Sequence, residues 1–236
     1  MPRALAIETS GRIGSLAVVE DGVVLADECF AHGLQHAAGI VPMIDRLVRR
    51  RAWTPQDLTE LYVSAGPGSF TGLRIAVTLA KTLAMVTGAK IVSVPTARVL
   101  VDNAPSDARQ VIIVLDAKRD QIFTARFTRT SDTGPWTESE PPRLDALTNM
   151  LARAGRPVYL LGEGIPFHQK YVDPADLNVI LTSSDTWRAR AQVVATVGHA
   201  MARQGDFVDV DRFTPIYIRK PEAEEKWEKA HGVHAS

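Results

Sequence analysis

The sequence predicts an α/β protein made of two similar lobes in tandem, the second shorter than the first. The first observation is that short apolar runs of strand character alternate with segments whose apolar residues recur at helical spacing. The second is that the pattern restarts near residue 110: an apolar run at residues 4–7 ends in Glu8, and one at residues 111–115 ends in Asp116. In both copies a polar turn and a second strand follow, which indicates an internal duplication.

The first lobe, residues 1–107, is expected to be a mixed sheet covered by helices. Its strands are predicted at residues 4–7, 15–19, 23–29, 61–65 and 91–94. Its helices are predicted from near Gly39 through the apolar residues 40–48, at residues 70–86 and after Pro95. Asp21 and Gly22 between two apolar runs are a hairpin signal. Thr54 followed by Pro55 is expected to open a short helix, and Gly88 to end the long one.

The second lobe, residues 108–221, repeats this pattern in shorter form. Strands are predicted at residues 111–115, 122–127 and 157–161, and helices at residues 144–153 and 187–203. Residues 130–142 are rich in Ser, Thr, Pro and Glu and are expected to form a surface loop, and residues 222–236 a charged tail. Two ββ(β)αβα lobes with carboxylates at equivalent strand ends resemble the actin-like (ASKHA, ribonuclease H-like) architecture, which implies a cleft between the lobes.

Composition narrows the range of functions. The 236 residues carry 27 basic and 27 acidic side chains, and this net charge of zero argues against a stand-alone nucleic-acid-binding module. The single cysteine, Cys29, excludes an intramolecular disulfide and a cysteine-based zinc site. The longest apolar stretch, residues 73–86, is interrupted by Arg74 and Lys81, so we expect a cytoplasmic protein without a membrane span.

The strongest local signal is the segment GPGSFTGLR at residues 66–74, between a predicted strand and a predicted helix. Glycines let the backbone approach a ligand, and a helix N-terminus offers free amides, so the segment suits a phosphate- or carboxylate-binding loop. Alternatively, it is a tight connection in which Ser69 or Thr71 caps the helix. No Lys-Ser or Lys-Thr pair follows the last glycine, which excludes a P-loop, and physical reasoning alone favours the tight connection.

A second candidate site is the carboxylate pair Glu8 and Asp116, which the duplication brings to opposite sides of the cleft. In actin-like kinases such carboxylates hold Mg²⁺ or activate water. The alternative is that each ends its strand and accepts hydrogen bonds from the next turn. Because both turns lack a complete Asp-x-Gly phosphate signature, we expect a vestigial nucleotide cleft and no bound cofactor. Its predicted residues are Glu8, Ser10, Gly66, Gly68, Ser69 and Asp116.

Histidines and basic residues give weaker signals. His32 and His36 are four residues apart, but a zinc site needs a third ligand and no companion cluster exists, so we predict no metal site. His231 and His234 are expected in the solvated tail. The basic run at residues 46–51 suits contacts with RNA phosphates, but such a run is more often the exposed face of an amphipathic helix.

The predicted helix at residues 71–86 is too apolar for a helix that buries a single face. Its polar residues form one narrow stripe, made of Arg74, Thr78, Lys81 and Thr82. Alanines at every fourth position, Ala76, Ala80 and Ala84, would permit another helix to approach closely. More than one face of this helix is therefore expected to be buried. Either its own chain covers both faces, or one face is an interface with another subunit.

At this point several motifs, in their order along nearly the whole chain, resemble the TsaB (YeaZ) family. They are LAIETS at residues 5–10, His36 followed by VPMI at 41–44, GPGSFTGLRIA at 66–76, LDAK at 115–118 and PIYIR at 215–219. Proteins of this family are degenerate relatives of TsaD, an actin-like enzyme that transfers threonylcarbamoyl to the tRNA adenosine beside the anticodon. The glycine-rich string at this place in the chain is the most specific of these marks.

The resemblance implies a non-catalytic scaffold or activator. Such a subunit pairs with a TsaD-like catalytic subunit and a TsaE-like ATPase, meets tRNA only through that complex, and forms a homodimer when alone. TsaD holds its metal with a His-x-x-x-His pair, and the matching residues 96–102 contain no histidine, so the metal site and the catalytic role are expected to be absent.

In the family the first two long helices form the interface, which corresponds here to residues 38–50 and 71–86. The predicted interface residues are Ile40, Ile44, Leu47, Leu73, Ala76, Val77, Ala80, Leu83 and Ala84.

Two alternatives remain open. An actin-like small-molecule kinase would use Glu8, Asp116 and the glycine segment to hold ATP and Mg²⁺, although the phosphate signatures are incomplete. A metallopeptidase is a label that relatives in the superfamily have carried, and the absence of ligand residues argues against it.

Overall fold

The chain folds around two mixed β-sheets. The computed structural model describes residues 1–31 and 34–219, and within them the side chains of all but residues 31–38. The predictions for His32, the His36 side chain and the tail therefore lie outside the described residues. The first sheet has the strand order β3 (Val23–Ala31), β2 (Ile13–Glu20), β1 (Arg3–Glu8), β4 (Glu60–Gly66), β5 (Lys90–Pro95).

All five predicted strands of the first lobe are confirmed. Strands β1, β4 and β5 run parallel, and β2 and β3 add an antiparallel hairpin at the edge of the sheet. At the hairpin turn Asp21 and Gly22 have φ angles of 50° and 79°. Both lie in the left-handed region that a tight two-residue hairpin requires, which explains the Asp-Gly pair.

Helices cover both faces of the first sheet, as the alternation along β1 dictates. Leu5 and Ile7 face α1 (Leu34–Arg49) and α2 (Phe70–Thr87). Ala4 and Ala6 face a second layer that contains α3 (Thr96–Val101) and the C-terminal helix Ala191–Gln204. The first sheet is therefore buried on both sides.

The C-terminal helix belongs to the first sheet in space, although the sequence places it with the second lobe. A Cβ on Gly198 would lie 2.5 Å from the ring of Tyr62 on β4, so the helix approaches the sheet at its smallest residue. Its first amide, on Ala191, donates to the Ser15 hydroxyl at 2.8 Å. The helix begins at Ala191 rather than at residue 187, because residues 184–186 form a 3₁₀ turn.

The second sheet has the order β11 (Val179–Leu181), β10 (Val158–Leu161), β6 (Gln110–Ile113), β8 (Ile122–Thr128), with β7 (Leu115–Asp116) continuing beside β8. Strand β9 (Thr137–Asp145) pairs with the opposite edge of β8. Helices α4 (Leu147–Arg153) and α5 (Ile165–His168) pack on this sheet around a separate apolar core. The C-terminal helix described above, Ala191–Gln204, is α6.

Strand β9 corrects the prediction of a surface loop at residues 130–142 and of a helix from residue 144. It is the outer strand on its side of the described sheet, where a proline costs no ladder hydrogen bond. Glu140 on β9 pairs with Arg126 on β8 at 2.7 Å and also with Arg143. The composition of residues 130–142, rich in Ser, Pro and Glu, favours a loop. The segment nevertheless forms a strand, because ion pairs to the neighbouring strand and its position at the sheet edge stabilise it.

Helix α2 matches its prediction closely, while α1 starts earlier. Helix α1 begins at Leu34 and carries Pro42 in its interior, and its predicted start lay near residue 39. Ser69 caps the start of α2, and Gly88 ends it in the left-handed conformation at φ 76°. By length and composition alone α2 would pass for a membrane span, but one of its faces packs on the first sheet as a core helix does.

Candidate functional site

A cleft of about 510 Å³ opens between the two sheets. It lies at the carboxyl ends of β1, β4, β6 and β10, where the turns that follow these strands converge, as expected for this class of α/β sheet. Its lining residues are Ser10, Gly11, Arg12, Gly68, Ser69, Leu115, Asp116, Phe123, Glu163 and Phe167. Four of the six residues predicted for a nucleotide cleft are among them, while Glu8 and Gly66 are not.

Glu8 lies beneath the cleft and is fully buried. Its Oε1 accepts hydrogen bonds from the amide and the hydroxyl of Ser10, at 2.5 and 2.6 Å. Its Oε2 is buried without a hydrogen-bond partner among the described residues. Burial raises the pKa of the Glu8 carboxyl, and the Ser10 contacts oppose that rise. A buried carboxyl with a raised pKa that already accepts two hydrogen bonds from its own turn is poorly suited to holding Mg²⁺, which prefers ionised oxygen ligands.

The glycine segment forms the tight connection, with Ser69 as the cap. The Ser69 hydroxyl accepts from the Gly72 amide at 3.3 Å, and the Ser69 amide donates to the Ser10 carbonyl at 2.7 Å. Gly68 is required at this contact because a Cβ there would lie 2.5 Å from the same carbonyl. Gly66, with φ 120°, turns away from the cleft, and its amide donates to the Thr96 hydroxyl at 3.1 Å.

Asp116 lies at the cleft wall with a partner that the sequence did not indicate. Its Oδ1 is 3.0 Å from Nε2 of His168, a histidine of α5 that is only 2% exposed. The Lys118 amide also donates to this oxygen at 3.2 Å, as expected for a carboxylate that ends a strand. His168 Nδ1 is buried and has no partner in the described part of the chain. No motif marks His168, since only the fold brings it to Asp116.

Glu163 and Arg12 are cleft residues that sequence reasoning missed. Glu163 follows β10, and its Oε2 accepts a hydrogen bond of 3.1 Å from the Arg12 amide across the cleft. The Arg12 guanidinium lies 5.4 Å from the centre of the Phe167 ring. The turn that contains Glu163 was visible in the sequence as GEGIP, but nothing in that pattern pointed across to residue 12.

The described residues hold no group of three His, Cys, Asp or Glu side chains that could bind a metal ion. Where TsaD-like enzymes are expected to carry their histidine pair, this chain has α3, which is buried and mostly apolar.

The basic run at the end of α1 is explained by contacts within the chain. Arg46 and Arg49 pair with Glu28 and Asp45, and the buried Leu47 and Val48 occupy the opposite face.

A second concave surface, here called the groove, lies between α1 and α2 and has a volume of about 580 Å³. Its lining residues are Ile40, Val41, Phe70, Thr71, Arg74, Ile75, Thr78, Leu79 and Thr82. Arg74 is the single charged residue among them, and Val41 is 61% exposed. The groove is therefore an accessible, mainly apolar surface formed by the two helices that the sequence singled out.

The residues predicted for the interface need correction, since the chain's own core covers most of them. Eight of the nine are buried in the first lobe, namely Ile40, Ile44, Leu47, Leu73, Ala76, Val77, Ala80 and Ala84, and Leu83 is partly buried against them. Only Ile40 also borders the groove. The apolar surplus of α2 is real, but its alanine row faces the sheet, and the face left outside carries Ile75, Thr78 and Leu79.

The C-terminal strap, residues 214–219, meets the groove at Tyr217, whose ring lies 5.2 Å from that of Phe70. The Ile216 amide donates to the Ala65 carbonyl at 2.7 Å, and Arg219 reaches the Ala117 carbonyl of the second lobe at 2.6 Å. Between these contacts the Tyr217 hydroxyl accepts a hydrogen bond of 3.2 Å from Arg74. The strap thus connects both lobes to the N-terminal end of α2.

The two duplicated sheets and the cleft between them define a two-lobed protein of the actin-like class. A model of the family described as "TsaD: tRNA N6-adenosine threonylcarbamoyltransferase" matches residues 32–227. The chain belongs to this family and, within it, groups with the TsaB (YeaZ) proteins.

Individual relatives match over nearly the whole chain. The tRNA threonylcarbamoyladenosine biosynthesis protein TsaB of Bacillus subtilis is 29% identical over 94% of this chain and 96% of its own length. The TsaB protein of Escherichia coli is 26% identical over 98% and 99%. A crystal structure from Pseudomonas aeruginosa, described as similar to the peptidase YeaZ, superposes with a TM-score of 0.78 over 93% of this chain and 100% of that one, at 20% identity. This structural likeness concerns the fold.

Proposed function

We propose that the chain acts in tRNA threonylcarbamoyladenosine biosynthesis as a non-catalytic partner subunit that docks a TsaD-like catalytic subunit on the groove. The names of the Bacillus and Escherichia relatives support the pathway. The role in the complex is supported by the open, mainly apolar groove between α1 and α2.

The observation that carries the proposal is the groove itself. A concave surface of about 580 Å³, lined by apolar and hydroxyl side chains and by Arg74, stays open to solvent in the folded chain. Beyond the groove lining, Met85 and Val86 at the end of α2 are 77% and 67% exposed. Solvent-exposed apolar side chains on two adjacent helices are typical of a protein-binding surface, because burying them against a partner is favourable.

A non-catalytic role is supported by the state of the cleft. Glu8 is buried and bound to its own turn, and Asp116 is paired with His168. The described residues offer no cluster of metal ligands. The groups that could hold a nucleotide and Mg²⁺ are thus engaged within the chain.

The same proposal covers the remaining partners. A TsaE-like ATPase and tRNA would meet this chain through the complex, tRNA indirectly, and in the absence of a TsaD-like subunit the groove would pair with the groove of a second copy. A symmetric pairing of this kind uses one patch twice, which suits two helices on one face. The complex would assemble in the cytoplasm, where tRNA is modified.

The test is a pair of matched substitutions, Val41→Arg and Val23→Arg. The two valines are 61% and 62% exposed, and only Val41 lines the groove. Val41→Arg should weaken binding of a TsaD-like subunit at least about tenfold, because a charge would be desolvated in an apolar contact. Affinity is measured by calorimetric titration, and self-association by analytical ultracentrifugation. Val23→Arg should change neither.

Equal affinities for the two variants would remove the groove from the interface. Threonylcarbamoyl transfer to tRNA by this chain alone would contradict the non-catalytic role. The kinase alternative is tested in the same preparation, since heat of binding on titration with millimolar Mg-ATP would favour it over the partner role.

A further inference from the structure

The turn at residues 10–12 is held by a carboxylate that comes from the other lobe. Glu163 Oε2 accepts the Arg12 amide at 3.1 Å. Gly11 leaves room for this contact, since a Cβ at Gly11 would lie 3.2 Å from Oε2 and 3.4 Å from Oε1. Both carboxylate oxygens therefore pack against bare backbone of the turn.

The surroundings of this contact are those of an anion site. Two amides of the turn donate to carboxylates, the Ser10 amide to Glu8 beneath it and the Arg12 amide to Glu163 in the cleft. A hydrogen bond from an amide to a charged acceptor is about twice as strong as one to a neutral acceptor. The positive guanidinium of Arg12 lies 5.4 Å from the centre of the Phe167 ring, which also lines the cleft. The charge of Glu163 also contributes, after burial, to the raised pKa of Glu8.

We propose that Glu163 is a built-in anion: its carboxylate occupies an anion-binding turn at residues 10–12 and latches the second lobe to the first. In an actin-like cleft the corresponding turn is expected to meet a nucleotide phosphate. Here the donor is already engaged, and a phosphate would also meet the charges of Glu163 and Asp116 in the cleft wall. The cleft of the intact protein therefore rejects phosphates, and the site takes a small anion, such as formate or phosphate, only when Glu163 is removed.

The experiment is chemical rescue of the latch, measured by thermal unfolding. Glu163→Ala should lower the unfolding midpoint by about 2–4 °C, because one charge-assisted, partly exposed hydrogen bond between lobes is lost. Sodium formate at about 300 mM, compared with sodium chloride at the same concentration, should restore about 1–3 °C of this loss by binding at the vacated turn. Inorganic phosphate should stabilise Glu163→Ala more than it stabilises the wild-type protein, because its general salt effect acts on both.

The matched control is Glu20→Ala, which removes another partly exposed glutamate with one arginine partner, Arg3 at 3.0 Å, from a site outside the cleft lining. Formate should not stabilise this variant beyond the effect of chloride. The inference is overturned if Glu163→Ala melts with the wild-type protein, if formate stabilises both variants equally, or if phosphate stabilises the wild-type protein as much as Glu163→Ala.

A second measurement keeps the inference testable if Glu163→Ala fails to fold. In Glu163→Gln the acceptor loses its charge and keeps its shape, so the Arg12 amide proton should move upfield in a ¹H–¹⁵N spectrum while amides of the first sheet stay in place. An unmoved Arg12 resonance would contradict the contact. The groove does not take part in this contact, so either result leaves the proposed partner role to its own test.

Discussion

The interlobe cleft and the groove have similar volumes, about 510 and 580 Å³, but they differ in whether their side chains have partners within the chain. In the cleft the polar groups are engaged from within, with Glu163 on the Arg12 amide and Asp116 on His168. In the groove exposed apolar residues such as Val41 face solvent. An unburied apolar surface gains free energy from a partner, whereas polar groups that are already paired within the chain gain little from a ligand.

Helix α2 shows the same contrast between a face with partners in the chain and a face exposed to solvent. One face carries Ala76 and Ala80 flat against the sheet, and the other carries Ile75 and Thr78 into the groove. Small residues allow the helix to lie close to the strands, which leaves the larger apolar residues on the outside. The helix therefore contributes to the core and to the proposed interface at once.

The largest expected effect separates these two faces. Ala80→Arg should destabilise the chain by about 3–5 kcal/mol or prevent folding, because Ala80 is 0% exposed and a buried unpaired charge is costly. Thr78→Arg, on the exposed face, should change stability by less than about 0.5 kcal/mol and still abolish binding of a TsaD-like subunit. Urea unfolding and calorimetric titration measure the two effects. A stable Ala80→Arg variant would show that this face is not core.

A smaller effect is expected where the cleft is tightest. Gly68→Ala should lower the free energy of unfolding by about 1–3 kcal/mol, because its Cβ would lie 2.5 Å from the Ser10 backbone carbonyl and one of the two turns must shift. Gly39→Ala is the control, since a Cβ there meets nothing within 4 Å and alanine favours the helix. Urea unfolding of both variants checks this, and a Gly68→Ala variant as stable as Gly39→Ala would contradict the close packing of the turns.

How far the sequence predicts this molecule depends on the range of the interaction concerned. The duplication, the hairpin at Asp21 and the Ser69 cap were readable because each depends on neighbours in sequence. The partner of Asp116, His168, is 52 residues away, and that of Arg12, Glu163, is 151 residues away, so neither is marked by a motif. Strand β9 was missed for the same reason, since its stabilising partner is another strand.

The predicted interface residues show a different limit of prediction from sequence. Apolar periodicity identifies which helix carries excess apolar surface, but it does not tell which face meets the chain's own sheet. Alanines such as Ala80 suited either reading, and the structure places Ala80 in the core. The groove became visible only once α1 and α2 lay side by side.

The smallest expected effect concerns Glu8, the buried carboxyl under the cleft. Burial raises its pKa above the ordinary value near 4.5, so the folded chain holds this proton more tightly than the unfolded chain does. Stability contributed by Glu8 is therefore complete below pH 4.5 and falls as the pH rises from there towards the folded pKa. Glu8→Gln has no proton to lose, and its amide oxygen can still accept from Ser10.

The unfolding midpoint of Glu8→Gln should therefore equal or exceed that of the wild-type protein at neutral pH, and the difference should shrink as the pH falls towards 4.5. Thermal unfolding from pH 4 to pH 8 measures this, with the exposed Glu138→Gln as the control for removing one carboxylate. A difference that stays constant across this range would mean that burial does not raise the pKa of Glu8 above its value in the unfolded chain. The contrast between the cleft and the groove would then depend on the contacts of Glu163 and Asp116 alone.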